Sequence, residues 1–323
     1  MLVLKNAIFS RLPASRLDSL TLLVLTAMFV ALVAGYFSRI LPQLELFVHF
    51  QIQYACVLIV VFAICLVRRK RILCLLSLLI LAIPLARVVP WYVGNNQVAQ
   101  RAALRILSSN VKATNEHWDA IQEMVLATDA DIVVLIEATA LLQDKLQTVE
   151  TLYPYSFAHG LDTGAGFLLF SRVPLVETKA HLNGVSKIVT ISSTVQVPSG
   201  EFDLVAVHPI RPGLRHGCTL SEGELAQIAS IVQGRQDSVV VIGDLNTTMW
   251  SKGYAALVKD NALHNLRQGR GVVPTWGANV FGPILSIPID HCLVRGDVHG
   301  VSFDTVSLEG SDHLGIIAGL DFD

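Results

Sequence analysis

Three long apolar runs fill most of the first 95 residues, and few structures other than membrane-spanning helices accommodate them. Twenty uncharged residues lie between Asp18 and Arg39. Twenty-two more lie between Glu45 and Arg68, with His49, Gln51 and Gln53 the polar interruptions. A third run covers Ile72 to Ala86 and extends to about Val93 if Arg87 carries its charge to the interface on its aliphatic stem. About 20 apolar residues at 1.5 Å each cross the ~30 Å hydrocarbon layer. The runs therefore predict spans at about 19–38, 46–67 and 72–93, a membrane region covering 19–94. The first run, preceded by Lys5, Arg11 and Arg16, also invites a cleaved signal peptide, but it is longer than such a segment needs and two further spans follow. A buried helical hairpin in a soluble domain fits poorly, because the runs have no polar face.

Basic residues orient the spans. Arg68-Arg69-Lys70-Arg71 sits in the tight connection between the second and third, whereas the first loop has only Arg39 near its edge. The N-terminal residues 1–18 and the basic turn are expected in the cytoplasm. The chain after the third span is then expected on the far side of a bacterial inner membrane. As a nucleic-acid patch, four residues wedged between two spans are weak.

Residues 98–323 are enough for one domain with a sizeable core. That part carries 15 of the 24 basic residues but 24 of the 26 acidic ones, a balance of −9. Binders of the phosphate backbone generally show the opposite sign. This counts against tight non-specific nucleic-acid binding, but not against a metal-dependent phosphate site. Cys218 and Cys292 are the domain's two cysteines, with no CxxC and no metal-ligand spacing. They read as plain thiols, with a disulfide the alternative in an oxidising compartment.

Within the domain, strands are expected at Leu104–Leu107, Asp131–Ile136, Gly166–Phe170, Ile188–Gln196, Phe202–Val207, Val239–Ile242, Ser286–Val294 and Leu314–Leu320. Helical spacing marks His117–Ala127, Leu220–Val232 and Ser251–Val258. Consecutive strands are too many for strict βαβ alternation. An α/β (α+β) fold of two packed mixed sheets flanked by helices, a four-layer sandwich, fits better than a doubly wound parallel sheet.

Polar groups gather where these strands stop: Asn110, Glu137, His208, Asp244 with Asn246, and the late pairs Asp290-His291 and Asp312-His313. Desolvating such groups without partners costs several kcal/mol, so their placement points to a site. Oxygen-rich ligands suit Mg²⁺, Mn²⁺ or Ca²⁺ and argue against structural zinc. Each residue also has a plainer reading. Asn110, Asn246 and Asp244 suit turns, Glu137 suits a helix cap, and His291 reads as a neighbour pointing to the opposite strand face. Trp276 reads equally as an aromatic wall beside substrate or a core residue. Arg211 reads as a solvated loop residue, and Glu222 and Glu224 as a solvated helix start.

The ordered series Ser108-Ser109-Asn110-Val111, Leu135-Ile136-Glu137, Gly166…Ser171-Arg172, Val207-His208-Pro209, Gly243-Asp244-Leu245-Asn246, Ile289-Asp290-His291 and Ser311-Asp312-His313 resembles the endonuclease/exonuclease/phosphatase superfamily over roughly residues 103–321. That superfamily includes deoxyribonuclease I, abasic-site endonucleases, neutral sphingomyelinases and inositol-polyphosphate phosphatases. The resemblance implies Glu137 as principal metal ligand, with Asn110 and Asp312 helping, and Mg²⁺ or Mn²⁺ as the ion. It implies Asp244 and Asn246 as the groups positioning water and phosphate, Asp290 and His313 as a buried carboxylate–imidazole pair, and His208 near the leaving oxygen. Two departures bear on substrate. Leu161-Asp162-Thr163-Gly164 stands where nuclease relatives carry a tyrosine, and His291 stands where many have Tyr. Phosphoester hydrolysis is expected, phosphodiesters ahead of monoesters. Extracytoplasmic nucleic acid and a phosphorylated lipid headgroup remain the substrate alternatives, and no protein partner is implied. The different-class alternative is a non-catalytic membrane interaction protein keeping the fold.

Overall fold

The computed structural model describes residues 14–38, 40–94, 102–183, 188–213, 216–235, 237–282 and 285–322. Residues 1–13, Asn95-Asn96-Gln97 of the expected linker, and the expected start of the domain at 98–101 lie outside them. The chain divides into two compact units, Met1–Val89 and Pro90–Asp323.

In the first unit, three helical stretches are long and apolar enough to cross a membrane: Arg16–Phe37, Pro42–Val67 and Arg71–Tyr92. Leu25, Leu32, Leu58, Cys65 and Leu81 pack between them, while Leu23, Val30, Ile59, Val60, Leu75 and Leu79 stay exposed. Apolar surface of this kind on the outside of a helical unit suits contact with a membrane or with other protein. Charge sits at the ends. Asp18 pairs with Arg68 at 2.6 Å and Lys70 at 2.5 Å. Toward the other ends, the Arg87 guanidinium lies 4.8 Å above the Tyr36 ring.

Two six-stranded sheets form the second unit. The strands are β1 (Leu104–Asn110), β2 (Ile132–Ala138), β3 (Tyr155–His159), β4 (Gly166–Ser171), β5 (Leu175–Leu182), β6 (Val189–Val197), β7 (Gly200–Val207), β8 (Val239–Asp244), β9 (His264–Asn265), β10 (Asp290–Arg295), β11 (Val298–Ser307) and β12 (Leu314–Phe322). One sheet runs β11-β12-β1-β2-β4-β3 and the other β5-β6-β7-β8-β10-β9. Each has one parallel pair at its centre, β1/β2 and β7/β8, flanked by antiparallel neighbours. This is the expected mixed two-sheet sandwich.

Strand alternation sorts the side chains into layers. Ile106, Val134, Leu204, Ile242, Cys292 and Ile316 belong to the core between the sheets. Leu107, Val133, Leu135 and Leu168 face the other way, onto Ile121, Met124 and Val125 of the helix Trp118–Thr128. Asp129, in the left-handed region at φ 45°, ends that helix.

Strands β3, β5, β9 and β11 lie outside the sequence expectation, and the late strand is Asp290–Arg295 rather than Ser286–Val294. All four added strands are sheet edges, and β3 and β5 are largely half-exposed or exposed, so they lack the buried apolar run that marks a central strand. Cys218 and Cys292 are both free thiols.

Candidate active site

The even-numbered faces that form the inter-sheet core run on into polar residues at one rim. Asn110 extends the face of Leu104 and Ile106, His208 that of Leu204 and Ala206, Asp244 that of Val240 and Ile242, and Asp290 that of Cys292 and Val294. Asn110, His208 and Asp244 end or follow β1, β7 and β8. Asp290 starts β10 and His313 precedes β12, which corrects the expectation that every one of these groups lies at a strand end. They still meet, because β10 is antiparallel to β8 and β12 to β1.

Glu137 reaches the rim differently. Simple alternation from Ile136 would turn it toward the helices. The register with β4 shifts between Ile136 and Ala138, and Glu137 adopts φ 59°. A bulge re-aims a side chain in this way. It needs Gly166 opposite, since a Cβ there would stand 2.4 Å from Ala138 O. Gly243 is likewise required, with φ 140° and a hypothetical Cβ 2.2 Å from Val207 O.

One connected polar network results. Asn110 Nδ2 donates to Glu137 Oε1 at 2.9 Å and, across the gap between sheets, to Asp244 Oδ2 at 3.2 Å. Glu137 Oε2 accepts from Ala113 N at 3.2 Å. His208 Nε2 lies 3.6 Å from Glu137 Oε1 and 3.8 Å from Asp244 Oδ2. His313 Nδ1 sits 3.0 Å from Asp290 Oδ2, leaving Nε2 3.7 Å from Asp244 Oδ2. Asn246, at φ 50°, donates its backbone N–H to Asp244 Oδ1 at 2.7 Å and its side-chain amide to Pro209 O at 2.9 Å. It thereby ties the β8 loop to the His208 segment.

Burial sets the electrostatics. It raises the Asp244 carboxyl, and the neighbouring Asp290 carboxylate raises it further. Burial alone would lower His313, but the carboxylates of Asp290 and Asp244 outweigh it and hold the imidazole protonated. Asp290 moves the other way: burial would raise it, and His313 brings it below the usual carboxylate range. His208 is pushed down by burial.

A family model described as the Endonuclease/Exonuclease/phosphatase family matches residues 106–313. The chain belongs to this family. Comparison with curated protein sequences gave no match. Among solved structures, it is similar to D. rerio TDP2 complexed with a single-strand DNA product, at 15% identity and TM-score 0.56, covering 68% of this chain and 98% of that one. It is similar to the human Nocturnin catalytic domain with a bound sulfate anion, at 18% identity and TM-score 0.55, covering 70% and 97%. A Bacteroides thetaiotaomicron endonuclease/exonuclease/phosphatase family protein is similar at 18% identity and TM-score 0.54, covering 69% and 99%. At these identities the likeness is one of fold.

Members of the endonuclease/exonuclease/phosphatase family are generally phosphoester hydrolases and usually depend on a divalent metal. The donor set here fits a hard cation: Glu137, Asp244 and Asp290 bring three carboxylates together, and oxygen ligands of this type suit Mg²⁺ or Mn²⁺. Asp244, Asp290 and His313 also place ligand atoms within 4.8 Å of one another. His313 is already engaged with Asp290, so the oxygens of Asn110 and Glu137 are the better-matched ligands. Asp312 is set apart from that network by its contacts: its Oδ2 accepts from Trp276 Nε1 at 3.1 Å and its Oδ1 lies 3.7 Å from Lys112 Nζ.

Several residues take places the sequence left open. His291 is a buried framework residue, with Nε2 donating to Thr247 O at 2.9 Å and Nδ1 facing Asn265 and Arg267, each at 3.1 Å. Trp276 is half-buried and bridges to His313 and Ile287. Arg211 is exposed. Sequence reasoning missed three supports. Ser311 Oγ donates to Asn110 O at 2.7 Å and accepts from His313 N at 3.0 Å. Thr275 Oγ1 accepts from the backbone of Ile289 and Asp290, each at 3.2 Å. Glu224, expected in solvent, is 4% exposed. No local motif marks any of the three, although Ser311 stands inside the quoted Ser-Asp-His.

Proposed function

We propose that the chain is a membrane-anchored, divalent-metal-dependent phosphodiesterase whose catalytic domain, residues 98–323, acts outside the cytoplasm. The observation that carries the chemistry is the junction of Asn110, Glu137, His208, Asp244, Asp290 and His313 in one polar network. Three apolar helical stretches and the basic turn Arg68–Arg71 support the anchor and its orientation.

A phosphodiester anion repels hydroxide, so hydrolysis needs charge neutralisation, an oriented water and a proton for the leaving alkoxide. Glu137 and Asn110 would hold the cation, which would supply Lewis-acid polarisation of the phosphoryl oxygens. Asp244, with its raised proton affinity, orients the attacking water and accepts its proton. Asn246 fixes that carboxylate through its backbone N–H. His313, kept protonated by Asp290, donates from Nε2 to a non-bridging phosphate oxygen. His208, which burial biases toward the neutral ring, takes up a proton beside the Glu137 carboxylate and delivers it from Nε2 to the leaving oxygen. A leaving-group donor of this kind favours diesters over monoesters.

The domain's balance of −9 and the anchor favour a phosphorylated lipid headgroup over nucleic acid as substrate. The test incubates the detergent-solubilised chain with plasmid DNA and with a phospholipid panel at low salt, before and after chelation. Headgroup release that stops on chelation and returns with Mg²⁺ or Mn²⁺ supports the reading. Plasmid nicking abolished by Asp244→Asn would make the chain a nuclease instead.

A further inference from the structure

Glu224 lies on the helix Gly217–Gln233, behind His208. Its Oε2 accepts the backbone N–H of Ile210 at 2.5 Å, two residues beyond that histidine. Its Oε1 is buried and has no hydrogen-bond partner among the described residues. The same holds for His208 Nδ1, the ring nitrogen turned away from the site. Two orphaned buried polar atoms are costly, because each has given up water without gaining a partner. Both residues line one small cavity, together with Thr190, Pro209, Gln227 and Ile228. That cavity has room for one water molecule.

We propose that Glu224 is a positioning residue for His208, acting through a single buried water that accepts from Nδ1–H and donates to Glu224 Oε1. The inference rests on the proposed role of His208 at the leaving oxygen. Glu224 holds the segment at two points, the Ile210 amide and the ring, so the imidazole cannot swing and Nε2 stays directed at Glu137 and Asp244. It also fixes the tautomer, as a hydrogen bond to one ring nitrogen decides which proton the other exchanges. The proton balance follows. As the P–O bond breaks, the leaving oxygen takes the Nε2 proton, the ring ends neutral with its proton on Nδ1, and Glu224 remains a carboxylate.

Two readouts on the full chain in detergent test this. The first is nitrogen-15 NMR of the histidine rings, with His208→Asn used to assign the signal. The wild type is expected to show His208 protonated at Nδ1, and Glu224→Gln, which keeps an acceptor for Ile210 but turns an N–H toward the water, is expected to lose that state. An unchanged Nδ1 signal in Glu224→Gln and Glu224→Ala overturns the proposal whatever the activity. The second compares bis-p-nitrophenyl phosphate with diphenyl phosphate, whose phenolate leaves less readily. Glu224→Gln is expected to lose roughly 10-fold to 100-fold more kcat on diphenyl phosphate, the scale of removing a supporting partner. Equal losses on both esters contradict the proposal. If His208→Ala shows no leaving-group dependence, the role given to His208 fails instead, and the NMR result still decides the water link.

Discussion

His291 and Asp290 are sequence neighbours with opposite tasks, and their environments explain why. Asp290 points along the inter-sheet face to His313. His291 points into the scaffold, where Arg267, fully buried, donates to Asp290 O at 2.7 Å and lies 3.1 Å from the imidazole. Burial, with Arg267 beside it, pushes His291 down to about 3. The unfolded chain binds that proton near pH 6.5. Above about 6.5 neither state is protonated, and below it the unfolded state gains a proton that the folded state refuses. The stability contribution is therefore complete above about 6.5 and falls by up to about 1.4 kcal/mol per pH unit toward pH 3. Urea unfolding at pH 7 and pH 5 is expected to show this loss, and His291→Gln is expected to reduce the pH slope while lowering stability at pH 7 by about 1–3 kcal/mol for its broken hydrogen bonds. For Asp290→Asn the expectation concerns rate. His313 loses the carboxylate that keeps it charged and oriented, and kcat on bis-p-nitrophenyl phosphate should drop by roughly 10²-fold to 10⁴-fold with the fold intact by circular dichroism.

At the scale of elements, the sequence made the site legible because buried runs such as Val239–Ile242 stop abruptly at polar residues. Parity adds what runs alone do not show: Asn110, His208, Asp244 and Asp290 continue the core-facing positions of four strands, three of which end at the rim or one residue before it and one of which begins there. Glu137 breaks that parity, and only a register shift and a left-handed φ bring it in. No one-dimensional pattern encodes such a bulge. Edge strands β3 and β5 were illegible for a related reason, since half-solvated residues give no apolar run. Glu224 looked solvated because its neighbours Glu222 and Gly223 are, while its own burial depends on the distant Pro209–Ile210 segment. The bulge yields a prediction. Gly166→Ala places a methyl against Ala138 O, so the strand must shift and carry Glu137 with it. A roughly tenfold rise in the Mg²⁺ concentration giving half-maximal activity is expected, measured by metal titration of turnover. No change would mean that the Gly166 contact does not set the Glu137 position.

On the scale of the molecule, charge and hydropathy divide the chain where the two compact units divide. Nine of the basic residues and only two of the acidic ones precede residue 98. Asp18, Arg68 and Lys70 close one end of the helical unit, consistent with three antiparallel crossings. Three crossings, as proposed, would put residue 323 opposite the basic turn. Alkaline phosphatase fused there should be active and a cytoplasmic reporter silent, and the reverse pattern would invert the proposed topology. The most direct measurement is turnover of bis-p-nitrophenyl phosphate by the full chain, with and without Mg²⁺ or Mn²⁺, for wild type, Glu137→Ala and His313→Ala. The expected result, if the network is a metal-dependent phosphodiesterase site, is metal-dependent hydrolysis by the wild type and a loss of at least about 10²-fold in each variant. Wild-type turnover no higher than that of the variants, or indifferent to metal, would contradict it.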